Sequence, residues 1–360
     1  MNTLANIVTG IFKRIKDAFS VHFHSSNHVN KLFLNFPGST IHPQFTQQNI
    51  PIVFASDKHY FPYFLVALES IVQNSTTQNN YDILLLHTDL TKKDLTIAQR
   101  QIRHHSNFSI RFIDVSDLVN QYHLNDLMVI NHLQITAYYR LLISHILAQY
   151  DKILYLDCDL VVMQDVANLF QTNLDTYYVA AVLDVGVQIY FLPKVPEFEP
   201  YIRSLGMKEP NKYFNSGVLV MNLSLIRKHS LTDKFIHVAR KNNRFFHDQN
   251  VLNVVCNERV FLLNPEWNLQ CCNTIQTNTF GIIHYCGDKP WDTKKVNLYD
   301  RWWRYAKHTH FYKQFRQHYK KRNPITKKLL FQQISCQILY KLTRGNIHRH
   351  YKQKYKSLLQ

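Results

Sequence analysis

The chain has 360 residues, 46% of them hydrophobic, which is enough to bury a core and too many for a disordered chain. Its 8 glycines form neither GxGxxG nor a P-loop, which argues against dinucleotide dehydrogenases and P-loop kinases. The net charge of +17 is concentrated at one end: 16 of the 42 Lys and Arg lie between Arg301 and Gln360, where there is no Asp or Glu, leaving 26 basic against 25 acidic residues in 1–300.

From the N-terminus, Leu4, Ile7, Val8, Ile11, Phe12, Ile15 and Phe19 recur at helical spacing and predict an amphipathic helix over residues 3–20. It either packs on the body or lies in a membrane interface. Residues 25–49 are polar, with Pro37, Gly38 and Pro43, and read as a linker. Ile52 to Ala55 is a short, fully apolar strand of the kind found in buried parallel sheets, and it ends at Asp57. A helix over about 63–73, a strand over 81–87, a helix capped by Thr91 over 92–104 and a strand over 108–113 follow. A helix over 136–150 leads into a strand at Lys152–Leu156. Strands alternating with helices predict an α/β fold with a mostly parallel, Rossmann-like sheet, whose ligands bind beyond the C-terminal strand ends.

The second half is less regular. Strands are expected at 178–183, ending at Asp184, at 216–222 and at 281–284. Helices are expected at 230–243 and 248–256. Pro193, Pro196, Pro200 and Pro210 suggest loops or a lid between 185 and 212. After residue 296 the chain is basic and aromatic. Such a tail calls for a polyanionic partner: nucleic acid, anionic lipid or a phosphorylated glycan. No nucleic-acid-binding motif accompanies it, so a nucleic-acid-binding protein is the weaker alternative. None of the six cysteines is in CxxC spacing, which fits reduced thiols better than a zinc site or disulfide framework. No apolar run approaches the ~18 residues of a spanning helix, and the N-terminus lacks the basic start of a secretory leader.

One stretch organises the rest. The strand ending at Leu156 runs into Asp157-Cys158-Asp159, and an apolar run resumes at Leu160. In extended chain, residues i and i+2 share a face, so both carboxylates can aim at one point. Two anions that close repel unless a cation lies between them. The pair is therefore either a polar turn or a grip on a hard divalent ion.

Six segments in order decide between these. They are Phe54-Ala-Ser-Asp57, Tyr138-Tyr-Arg140, Leu154-Tyr-Leu-Asp157-Cys-Asp159, Tyr213-Phe-Asn215-Ser-Gly217, His247-Asp248-Gln249-Asn250, and His284-Tyr-Cys-Gly287-Asp-Lys289-Pro-Trp291. Together they resemble the retaining glycosyltransferases of family 8, which have a GT-A fold and use UDP-sugars. The resemblance covers roughly residues 50–295 and is nearest to bacterial lipopolysaccharide and lipooligosaccharide galactosyl- and glucosyltransferases. It implies Asp157, Asp159 and His284 as ligands of Mn²⁺ or Mg²⁺. It also implies Asp57, Arg140, Asp184, Asn215, Gly287 and Lys289 as donor-binding residues. Asp248 would contact the donor sugar, and Gln249 would sit near its anomeric carbon. Two departures stand out: Asn250 replaces a usual Asp, and His59 replaces a usual small polar residue.

The implied activity is transfer of galactose or glucose from UDP-galactose or UDP-glucose to a lipid-linked oligosaccharide acceptor. An inactive, transferase-like binding module is the other alternative. The expected organisation is an N-terminal helix and linker (1–49), a catalytic domain (50–295) and a tail (296–360) that associates with membrane or acceptor. With its amphipathic helix and basic tail, the enzyme would be cytoplasmic, peripheral on the anionic inner face of the bacterial inner membrane.

Overall fold

The computed structural model describes residues 32–36, 38, 40–127, 135–241, 245–271 and 279–323. The helix expected over residues 3–20 and the tail beyond Asn323 lie outside these residues.

Eleven strands are described: β1 (Phe33–Asn35), β2 (Asn49–Ala55), β3 (Asn80–His87), β4 (Phe108–Asp114), β5 (Lys152–Leu156), β6 (Leu160–Val162), β7 (Val179–Ala181), β8 (Val218–Asn222), β9 (Val260–Leu262), β10 (Leu269–Gln270) and β11 (Ile282–His284). Eight form one sheet in the order β1-β4-β3-β2-β5-β8-β7-β9, and β10-β11-β6 form a second, smaller sheet. From β1 to β5 all neighbours are parallel, whereas β8 runs antiparallel to both β5 and β7. The apolar run of β2 is needed because both faces of the sheet are covered. Val53 joins the core on one face, and Ile52 and Phe54 join the core on the other.

Local chemistry sets the helix ends. The helix α1 (Phe61–Asn74) carries Pro62 in its first turn, and Asp57 Oδ1 accepts from the Tyr60 amide at 2.7 Å just before it. The helix α2 (Lys92–Ile102) begins with a reciprocal capping box between Thr91 and Asp94. The helices α3 (Leu231–Lys241) and α4 (His247–Cys256) bear out the two expected in the second half.

Three stretches differ from expectation. The helix expected over 136–150 is a 3₁₀ stretch, Ile135–Leu142, followed by one short α-turn, Ile143–Ile146. Five consecutive side chains, Tyr138 to Leu142, are buried, so the apolar spacing that suggests one long helix marks no single face here. The 185–212 segment is a set of short helical turns, Val187–Phe191, Leu192–Lys194, Phe198–Ser204 and Pro210–Lys212. These turns close on their own apolar cluster of Val187, Phe198, Ile202, Met207 and Tyr213. Pro193 and Pro210 occupy first turns, where no backbone donor is needed. Within the polar stretch read as a linker, β1 pairs with β4 at the sheet edge.

The first part of the basic segment belongs to the body. The helices α5 (Tyr299–Ala306) and α6 (Tyr312–Arg322) bury Trp302, Tyr305 and Phe315 in a cluster with Val66, Tyr285 and Trp291. No helix among the described residues is long and apolar enough to cross a membrane.

Candidate functional site

The two sheets meet at the acidic pair. The chain leaves β5 at Leu156, turns through Asp157, Cys158 and Asp159, and enters β6. Cys158 faces away, with its Sγ 3.4 Å from Ala55 O, so the flanking carboxylates share the opposite side. Pairing of β11 with β6 sets His284 opposite Leu160, one residue from Asp159. Residues far apart in sequence thus converge, and their ligand atoms lie within 4.8 Å of one another. His284 Nε2 is 3.2 Å from Asp159 Oδ1 and 3.8 Å from Asp157 Oδ2. His284 Nδ1 lies 3.0 Å from Asn268 Oδ1 on the other side of the ring.

That donor set fits a divalent cation. A ring whose Nδ1 faces an amide oxygen carries its proton there, which leaves the Nε2 lone pair aimed at two carboxylates. Three electron-rich atoms at this spacing suit a hard or borderline ion. Gly217 makes room for the cluster. A Cβ there would collide with His284 Cε1 and sit 2.7 Å from Asp157 Oδ2.

Two cations of the chain already lean on the acids. Lys289 Nζ donates to Asp159 Oδ2 at 2.5 Å and to Tyr285 O at 2.6 Å. Burial works against the charge on Asp159, but the Lys289 ammonium opposes it, and the carboxyl sits well below its usual range. Arg140 is buried and bridges the site: Nη2 to Asp157 Oδ1 at 2.8 Å, Nε to Asp248 Oδ2 at 3.1 Å, and Nη1 to Ser216 O at 2.7 Å. Its guanidinium also lies over the Tyr155 ring, whose hydroxyl donates to Asp157 Oδ1 at 3.0 Å. Burial pushes the Asp248 carboxyl up to about 6, with Arg140 opposing and Asp157 adding to the rise.

The first turn of α4 carries Asp248 and Gln249 beneath this cluster, and Gln249 is held at both ends of its amide. Its Oε1 accepts from the Ser216 amide at 2.9 Å, and its Nε2 donates to Asp184 Oδ2 at 3.1 Å. Asn215 Nδ2 donates to the same Asp184 oxygen at 3.0 Å. Asn250, where a carboxylate is usual, accepts from the Tyr213 hydroxyl at 2.7 Å in a fully buried setting. Of the residues expected from sequence, Asp157, Asp159, His284, Arg140, Asp184, Asn215, Asp248, Gln249 and Lys289 form one connected network. Asp57 sits at the end of β2 and is engaged in the turn before α1, and Gly287 is exposed two residues from Lys289.

No sequence pattern marks Asn268, Tyr155 or Ser216 as site residues. Tyr155 and Ser216 stand beside Asp157 and Asn215, whereas Asn268 lies in a stretch that no spacing rule marks.

A mostly parallel α/β sheet with an acidic pair at its strand ends and a histidine delivered by a second small sheet defines a glycosyltransferase of GT-A type. The family profile described as "Glycosyl transferase family 8" matches residues 51–295. The chain belongs to glycosyltransferase family 8. Among curated relatives, glycosyltransferase GlyF of Streptococcus pneumoniae is 26% identical over 270 residues, covering 71% of this chain and 60% of GlyF. The solved bifunctional glycosyltransferase WbbM superposes with a TM-score of 0.69 at 25% identity, over 78% of this chain and 53% of WbbM. The galactosyltransferase LgtC, solved with donor and acceptor sugar analogues, has a TM-score of 0.60 at 24% identity, over 72% of this chain and 96% of LgtC. This chain thus spans about half of WbbM.

Proposed function

We propose that this chain transfers a hexose, galactose or glucose, from its UDP-sugar to a hydroxyl of a lipopolysaccharide or lipooligosaccharide core acceptor, retaining the anomeric configuration. The observation that carries the reading is the convergence of Asp157, Asp159 and His284 on one point, with Lys289 beside them. These three residues would hold Mn²⁺ or Mg²⁺. When bound, such an ion acts as a Lewis acid on the diphosphate of the leaving UDP.

The remaining roles follow from the chain's own groups. Lys289 is a point charge suited to the diphosphate oxygens. Asp57, at the end of β2, suits hydrogen bonding to the nucleoside, and Gly287 lets the backbone approach the phosphates. Asp184, Asn215 and Asp248 present acceptor and donor groups to sugar hydroxyls, with Arg140 holding Asp248 in place. Gln249 is a poor nucleophile, because an amide oxygen carries no full charge and its two ends are already engaged. Substitution on the front face agrees better with this arrangement. The acceptor hydroxyl attacks as the C–O bond to phosphate breaks through an oxocarbenium-like state, and its proton passes to the departing phosphate oxygen. Electrostatic stabilisation of the leaving group then dominates the rate.

A peripheral position on an anionic leaflet is supported by the 16 basic residues after Leu298, unopposed by Asp or Glu from Arg301 onward. The test is a panel of UDP-hexoses incubated with Mn²⁺, reading UDP release, followed by acceptor assays on truncated lipooligosaccharides. One or two UDP-hexoses are expected to be turned over, and Asp157→Asn to release no UDP. Near wild-type release by Asp157→Asn sinks the reading.

A further inference from the structure

We infer that Asn268 is a positioning residue: it fixes the tautomer of His284 and ties the cation-binding face of the site to the residues beneath the donor sugar. The inference rests on the reading of Asp157, Asp159 and His284 as the cation's ligands.

The argument is one of hydrogen-bond polarity, passed from group to group between two fixed ends. At one end, Gly217 N–H is a backbone donor, and it points at an Asn215 side-chain atom 3.0 Å away, which must therefore be the oxygen. At the other end, Asp184 Oδ2 is a carboxylate oxygen 3.0 Å from the other Asn215 atom, which must be the nitrogen. Both ends agree, so the orientation of Asn215 is set. Asn268 meets that Asn215 oxygen at 2.9 Å, so it presents its nitrogen there. Its oxygen is then the atom 3.0 Å from His284 Nδ1, and the proton of the neutral ring sits on Nδ1. Nε2, 3.2 Å from Asp159 and 3.8 Å from Asp157, is then the nitrogen that would offer its lone pair to a cation held between the two carboxylates.

Burial makes this chain rigid. Asn268 is 1% exposed, His284 2% and Asn215 6%, so water does not stand in for a missing partner. The supports are equally firm. Asn268 ends a 3₁₀ turn whose Asn264 side chain accepts from Glu266 N, and β10 then pairs with β11 so that Gln270 faces His284. The chain continues past Asp184, whose Oδ2 also receives Gln249 Nε2 and whose Oδ1 receives the Val187 amide at 2.9 Å. One line of hydrogen bonds therefore runs through Asn268, Asn215 and Asp184 from the imidazole that would hold the cation to the glutamine near the reacting carbon. Loss of the partner behind a ligating imidazole typically weakens metal binding by about 10–100-fold.

The experiment measures Mn²⁺ affinity of the full chain by the electron paramagnetic resonance of free Mn²⁺, with thermal melts alongside, for wild type, Asn268→Ala and Asn268→Asp. Asn268→Ala is expected to bind Mn²⁺ at least ~10-fold more weakly. Asn268→Asp keeps an acceptor for Nδ1–H and is expected to stay within ~3-fold of wild type, since a carboxylate behind the imidazole is a common arrangement. The Asp variant breaks the link to Asn215, so its preference for UDP-hexose over UDP should fall even as Mn²⁺ binding is kept. If Asn268→Ala does not fold, the Asp variant alone decides: Mn²⁺ bound as in wild type supports the role, and Mn²⁺ lost overturns it. Ala and wild type binding Mn²⁺ equally, with only the melting temperature lowered, also overturns it. Wild-type protein that binds no Mn²⁺ at all removes the cation reading itself, and this inference with it.

Discussion

Gly217 owes its lack of a side chain to two neighbours at once, His284 and Asp157. Gly217→Ala is expected to push these apart and to cut Mn²⁺ affinity by at least ~10-fold, read by titration of the folded variant. Arg140 is the second residue on which the site depends. Its guanidinium satisfies Asp157 and Asp248 together, so Arg140→Met leaves the buried Asp248 and the partly exposed Asp157 without their shared guanidinium. The expected cost is ~3–5 kcal/mol of unfolding free energy, measured in denaturant, and Arg140→Lys should recover only part of it because a point charge cannot reach both acids. The sequence marks these residues unequally. The Asp157–Asp159 spacing is legible because the period of an extended chain aims both at one side, and His284 is legible as the last residue of an apolar run. Asn268 is not legible, since its role comes from a partner 16 residues away across a strand pairing that no local pattern announces.

The strand β3 ends on His87, fully buried with its Nδ1 accepting from the Leu90 amide at 3.2 Å. Burial lowers its pKa from 6.5 to about 4, against the smaller pull of Asp114, Asp89 and Asp94. Between those two values the unfolded chain carries a proton that the folded chain does not. Stability therefore falls as pH drops through the window, by up to about 1.4 kcal/mol per pH unit from this group. His87→Gln keeps an acceptor and should flatten that slope relative to wild type in denaturation curves taken from pH 7 to 4. At this scale the sequence reads well where local and tertiary forces agree. The α2 helix is legible from Thr91 and the apolar spacing that follows, and β2 from its apolar run. The 135–146 stretch is misread as one helix because its apolar residues serve all sides of a crowded crossing rather than one face. The 185–212 turns are misread as loops because prolines that start helices look like prolines that prevent them.

Across the whole molecule, the described part of the basic segment, up to Asn323, packs on the body: Trp302 packs on Trp291 and Tyr63, Trp303 Nε1 donates to Pro290 O at 3.0 Å, and Asp292 receives His318 and Arg322. Trp302 and Trp303 of α5 and His318 and Arg322 of α6 hold Pro290, Trp291 and Asp292, and Tyr63 of α1 stacks on Trp291 at 3.9 Å, so these helices clamp the loop that carries Lys289. A count of aromatic and basic residues carries no periodicity, so it does not reveal that residues 299–306 and 312–322 pack as helices. Of the 16 basic residues after Arg301, counted inclusively, eight lie beyond Asn323. Two truncations separate the parts. A chain ending at Leu298 loses several large buried side chains, at ~1.5–3 kcal/mol each, which approaches the ~5–15 kcal/mol margin of a typical domain. It should be insoluble or unfolded by circular dichroism. A chain ending at Asn323 keeps the clamp and should melt close to the full protein while releasing UDP at a similar rate. It should also lose most of its salt-sensitive sedimentation with vesicles of phosphatidylglycerol and phosphatidylethanolamine, because about 1 kcal/mol of attraction goes with each basic residue removed from an anionic surface. Undiminished sedimentation of the 1–323 chain would move membrane attachment away from the C-terminal residues.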